Sequence, residues 1–204
     1  MTSSNTWVWG AVTLTLVVVA TTVALPGAAT TPNPSVGTSL PVETVADYVH
    51  AVIEADRDVY TRDVVERMQS KGIVVALENW TEKNTLPLPA QFLMESGKHI
   101  ARKGIGIRYR LISLWPINKQ IAAAAGFEET GLGTFITQPN RPYVGFTEVG
   151  ESLYFQAIYA DRAVTQACIG CHNAHPNSPK RDFQLDEVMG GIVISIPLGH
   201  LDRD

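Results

Sequence analysis

Five consecutive residues, Cys168-Ile169-Gly170-Cys171-His172, carry the clearest chemistry in this 204-residue sequence. Two thiols three positions apart on a helical turn point the same way and can add to both vinyl groups of one haem, while the adjacent His172 imidazole reaches the iron on the proximal face. The pattern therefore predicts a single covalent haem c, held by thioethers to Cys168 and Cys171 and ligated by His172. Three other readings use the same side chains. Cys168, Cys171 and His175 could bind zinc, but a closed structural zinc needs a fourth ligand and no second Cys or His pair stands at a usual spacing. A redox-active dithiol calls for a thioredoxin-like βαβ context, whereas this pair follows an expected antiparallel strand. A simple Cys168–Cys171 disulfide is the last alternative.

A haem iron has a second face. On the N-terminal helix the distal candidates are Met68, Tyr60 and His50; elsewhere they are Met94, His99, His175 and His200. Each has a purely structural reading: Met68 as core, Tyr60 as a buried ring with a bonded hydroxyl, and His50, His99 and His200 as surface. His175 lies too near His172 to cross easily, so Asn173 to Pro179 reads as a loop over the haem edge. An open or displaceable site would bind NO, CO or O₂, whereas a firm His/Met pair favours electron transfer. Arg108, Arg110, Lys180 and Arg181 are the candidate cations for the haem propionates, a solvated face being the alternative for each.

The elements that must position these groups can be read from periodicity. Val45, Val49, Val52, Val59, Val64 and Met68 recur at helical spacing and Gly72 closes the pattern, which predicts one amphipathic helix from Val42 to Lys71. Leu86-Pro87-Leu88-Pro89 enters a second helix that carries Phe92, Leu93 and Met94 and ends near Lys103-Gly104. Ile105, Ile107, Tyr109 and Leu111 then alternate with Arg108 and Arg110, the period of a strand. A short helix is expected from Lys119 to Phe127. Further strands are expected at Gly133–Gln138, Pro142–Val149, Ser152–Tyr159 and Gly191–Leu198, with Asn140-Arg141 and Gly150-Glu151 as hairpin turns. Helices followed by a mainly antiparallel sheet make the class α+β.

Composition narrows the partners. With 16 Lys and Arg against 20 Asp and Glu the chain has no basic excess to hold a nucleic-acid backbone. Residues 7–25 contain no charge and about 19 residues would span roughly 28 Å, enough for a membrane anchor. Residues 1–29 are therefore read as a signal peptide or membrane anchor, 30–41 as a proline-punctuated linker, and 42–204 as the domain. Export to the periplasm is the expected location, with residues 7–25 holding the protein to the membrane if they are retained. Export agrees with the motif, because covalent haem attachment of this kind takes place on the far side of the bacterial cytoplasmic membrane.

The residues Leu86-Pro87-Leu88-Pro89-Ala90-Gln91-Phe92, Leu114-Trp115-Pro116-Ile117-Asn118 and Tyr159-Ala160-Asp161, together with the stretch from Cys168 through His175-Pro176 to Leu198, resemble the exported c-haem-binding PAS-like domain family. That family occurs alone or as the sensing part of histidine kinases and nucleotide cyclases. The resemblance implies a PAS-like antiparallel sheet flanked by the long N-terminal helix, haem held between them, and redox or gas sensing. Some members ligate iron from the far side with a cysteine on the N-terminal helix, and this chain has no cysteine outside the attachment motif. Asp204 follows Leu198 too closely for an output domain, so a signal would pass to a separate redox or signalling partner, with the N-terminal helix as a possible homodimer interface. The expected function is a binding or sensing module rather than an enzyme, since no distal His-Arg arrangement can be placed; a monohaem electron-transfer cytochrome is the alternative.

Overall fold

The computed structural model describes residues 39–200, with His200 placed by its backbone alone. The expected targeting segment 1–29 and residues 30–38 of the linker lie outside the described residues. Among the described residues no helix is long and apolar enough to cross a membrane.

α1 (Val42–Val59) buries Ala46 and Ile53 and continues without a break through a π-helical segment, Tyr60–Glu66, into α2 (Arg67–Ser70). The expected helix is present as one rod but does not keep one period. A π-helix closes i→i+5 hydrogen bonds and so carries about one residue more per turn than an α-helix. From Arg57 an α period would align Thr61, Val64 and Met68. The residues on the inner wall are instead Arg57, Thr61, Val65, Glu66 and Gln69, a slip of one position beyond Thr61. At the start of the slip the Thr61 hydroxyl donates to the Arg57 carbonyl at 2.7 Å.

α3 (Trp80–Lys83) is a single turn that the sequence pattern did not signal, between the bridged residues Ala76 and Leu86. α4 (Pro89–Arg102) begins where its prolines allow, with the Gln91 side chain accepting from the Leu88 N–H at 3.0 Å. It lies directly along β1 (Arg108–Ile112): a Cβ on Gly97 would come 2.7 Å from the Tyr109 carbonyl oxygen, so only glycine permits this approach.

The sheet is completed by β2 (Tyr143–Val149), β3 (Ser152–Arg162) and β4 (Val188–His200), in the order β1-β4-β3-β2 with every neighbour antiparallel. The fold is α+β. Gly150-Glu151 makes the expected two-residue hairpin, Gly150 taking φ 63°. On one face Leu111, Phe155, Ala157, Tyr159, Ile192 and Ile194 pack against Ala46, Ile53 and Leu93 of the helices. On the other, Ile112, Ile158 and Val193 meet Leu132 and Phe135.

Three expectations fail in the middle of the chain. Lys119 to Phe127 forms only a 3₁₀ turn, Lys119–Ile121, before a loop, and α5 (Phe127–Thr134) starts at its end. Gly133–Gln138 is not a strand, because α5 and the turn after it occupy that stretch, and Asn140-Arg141 therefore joins no hairpin. Thr134, Phe135, Ile136 and Thr137 favour strands locally, but burying Leu132 and Phe135 against the sheet outweighs that preference.

Candidate functional site

The C-terminal ends of β1 and β3 and the start of β4 meet at one end of the sheet, where the attachment motif also lies. α6 (Gln166–Ala174) follows β3 and holds Cys168, Cys171 and His172 on one face, because positions i, i+3 and i+4 of a helix are neighbours. Thr165 at its N-terminus is buried and sets its hydroxyl 3.4 Å from Cys168 Sγ. At the other end, Asn173 and Phe183 exchange two hydrogen bonds, side-chain Nδ2 to the Phe183 carbonyl at 2.9 Å and the Phe183 N–H to Oδ1 at 3.0 Å. Phe183 stands edge-on to the His172 ring with centroids 5.7 Å apart, and Trp115 meets Phe183 edge-on at 5.8 Å. The motif is thus clamped at both ends.

Cys168, Cys171 and His172 all border a cavity of about 450 Å³, of the size that holds organic ligands. Its lining is mainly apolar, with Val65, Met94, Ile112, Trp115, Ile117 and Met189 among the contributors. The loop Leu114–Asn118 reaches it because the Ser113 hydroxyl donates to the Met189 carbonyl at 2.8 Å and accepts from the Trp115 N–H at 3.0 Å.

No disulfide joins Cys168 to Cys171. Burial, then the nearby Glu78 and Cys168, push the Cys171 thiol up, the opposite of the depressed pKa a redox-active dithiol uses. Among the described residues no three His, Cys, Asp or Glu side chains gather as a metal-binding group, so Cys168, Cys171 and His175 do not form a zinc site by themselves. Burial, reinforced by His175 and Arg57, holds His172 below its ordinary pKa. Its imidazole is therefore neutral near pH 7 and can act as a ligand, and its Nδ1 is buried without a partner.

The other candidate residues are spread more widely. The Tyr60 hydroxyl donates to the Pro87 carbonyl at 2.7 Å and its ring stacks on Phe92; Tyr60 is not on the cavity wall. Met68 is half-buried and is also off the wall, Gln69 standing there in its place. His50 stacks on Tyr159 with centroids 3.9 Å apart, and His99 is exposed on α4. Met94 does reach the cavity. So does His175, but with both nitrogens engaged: Nδ1 accepts from the Asn177 N–H at 3.1 Å and Nε2 lies 3.2 Å from Glu78.

None of the four cations expected near propionates lines the cavity. Arg108 and Arg110 face a separate groove with Lys98, Tyr154, Gln156 and Ser195. Arg110 is paired with Glu128 at 2.5 Å, Lys180 with Asp182 and Glu187, and Arg181 donates to the Pro176 carbonyl at 2.8 Å. The cation on the wall is Arg57, in a buried ion pair with Asp161, where the β3–β4 ladder slips between Asp161 and Arg162. Arg57 carried no motif and was missed; Asp161 appeared only within the Tyr159-Ala160-Asp161 resemblance.

The donor set and walls suit a large, flat, mostly apolar group: two thiols and a neutral imidazole on one helix face, beside apolar surface.

No curated protein matches the sequence. A solved crystal structure, that of "the cyanobacterial heme-protein Tll0287", is similar in fold at 15% identity and TM-score 0.50, covering 79% of this chain and 99% of that one. The profile of Tll0287-like proteins matches residues 38–197, from before α1 into β4, and the chain accordingly belongs to the Tll0287-like family.

Proposed function

We propose that this protein is an exported c-type haem protein of PAS-like fold, holding one covalent haem and serving as a redox- or gas-responsive binding module rather than an enzyme. The carrying observation is that Cys168, Cys171 and His172 border one apolar-walled cavity of about 450 Å³. Family membership supports haem binding, and the antiparallel sheet with helices on its face supports the PAS-like reading. Export rests on the sequence of residues 1–29.

In this reading Cys168 and Cys171 would hold the group through thioethers and the neutral His172 would donate to its iron. Bound haem would supply a redox-active iron able to take a protein or gaseous ligand. Phe183 and Trp115 fix the proximal ring, and Val65, Ile112 and Ile117 keep water from the apolar faces. On the helical wall Thr61, Val65, Glu66 and Gln69 offer no imidazole, thiolate or thioether, which favours a ligand-accepting site. The thioethers of Met94 and Met189, also on the wall, are what an electron-transfer reading would use.

The test is expression with the haem-attachment machinery, a pyridine haemochrome spectrum, and CO addition to the ferrous protein. Covalent haem with rapid CO uptake is the expected result. A spectrum unchanged by CO would overturn the ligand-binding reading and leave electron transfer.

A further inference from the structure

We infer that Arg57, held by Asp161, is the residue of this cavity that binds an anionic oxygen group, either a small oxyanion such as nitrite or the carboxylate of the resident haem. The inference rests on the haem reading. Among the described lining residues Arg57 is the only Lys or Arg. Its side chain is 12% exposed and that of Asp161 11%, so the pair is largely out of bulk water.

A guanidinium has five N–H donors in a rigid fork, and one carboxylate cannot satisfy them all. The buried Nε of Arg57 has no hydrogen-bond partner. Nε is itself enclosed by protein, so the donors that Arg57 can present at the cavity wall are those on its terminal nitrogens that Asp161 leaves unused. The charge of Arg57 also reaches the attachment motif, acting on His172. Out of bulk water such a cation attracts an anion far more strongly than it would in water, and because Glu66 and Glu78 also line the cavity the attraction is confined to the Arg57 fork.

The test uses ferric holoprotein titrated with sodium nitrite and followed by visible absorption, with pyridine haemochrome content and midpoint potential measured on every sample. The variants are R57Q/D161N, which removes the charges without leaving either buried and unpaired, and R57K, which keeps the charge but loses the fork. If nitrite is the ligand class, its affinity falls at least about tenfold in R57Q/D161N, the weight of one charge-assisted hydrogen bond, with R57K intermediate. If the haem carboxylate is the source, nitrite affinity is unchanged while the reduction equilibrium moves at least about tenfold, about 59 mV for one electron. Full haem content with both quantities unchanged would overturn the role of Arg57 and leave the haem reading intact. A wild-type protein without covalent haem would overturn the haem reading itself. Should R57Q/D161N fail to load haem, R57K decides: affinity and potential both equal to wild type would refute the inference.

Discussion

Replacing Arg57 by leucine should cost the folded protein about 3 kcal/mol, because it strands Asp161 in a site where the carboxylate cannot readily recover its hydration. The magnitude follows from burial. With the two side chains only 12% and 11% exposed, the pair belongs with interior ion pairs, for which removal of one partner costs about 3–5 kcal/mol, rather than with surface pairs worth about 0–1. The lower end is expected here because the cavity can lend Asp161 some water. In the double variant R57L/D161L no charge is left unpaired, and apolar packing replaces the pair at little net cost. Because D161L strands the Arg57 charge in turn at a similar cost, a double-mutant cycle should return a coupling of about 6 kcal/mol in magnitude. Urea unfolding of the holoprotein, followed by tryptophan fluorescence and circular dichroism, measures it. For a domain of this size the single variant should also melt about 6–12 °C lower. An R57L variant within about 1 kcal/mol of wild type, or a double variant as damaged as the single, would refute the reasoning that the pair is buried and mutually dependent.

Three further outcomes follow from particular contacts. Deleting Val64 should remove the extra residue of the π-segment, so that Val65 and Gln69 follow Thr61 in α period and stay on the wall; CO uptake like that of wild type with helix content retained is expected, and markedly weaker uptake would contradict it. Burial, only partly offset by Glu54 and Asp47, holds His50 below its ordinary pKa, so its contribution to stability is complete above about pH 6.5 and is lost as pH falls further; H50F should lose less stability than wild type from about pH 7 to about pH 5, and parallel losses in urea titrations would count against it. Gly97→Ala would drive a methyl to 2.7 Å from the Tyr109 carbonyl oxygen, and should cost about 1–3 kcal/mol by denaturant unfolding, whereas no change would mean that α4 does not lie so close to β1.

The attachment motif, the long helix, α4 and strands β1 to β4 were legible because each rests on local pattern: a fixed spacing, a period or a turn residue. What was not legible depended on the global arrangement. The stripe through Val64 and Met68 is written in α period, and nothing local marks the π-segment that sets Gln69 rather than Met68 on the wall. Thr134 to Thr137 carry strand-favouring side chains, yet Gly131 lets α5 press against Ile158 and Tyr143, where an added Cβ would come within 2.6 and 2.8 Å of their side chains. The Arg57–Asp161 pair joins a helix near the start of the domain to a strand near its end. Only the docking of α1 on the sheet brings the two together, which is why the cations singled out by sequence, Arg108, Arg110, Lys180 and Arg181, proved to lie elsewhere.

The central claim is that Cys168 and Cys171 carry a covalent haem beside His172. Its most direct test is haem retention after acid-acetone extraction, quantified by pyridine haemochrome, in protein expressed with the attachment machinery and in the variant Cys168→Ala with Cys171→Ala. The account predicts one retained haem per wild-type chain and none in the variant. Covalent haem that survives loss of both thiols, or a wild-type chain that retains none, would contradict it.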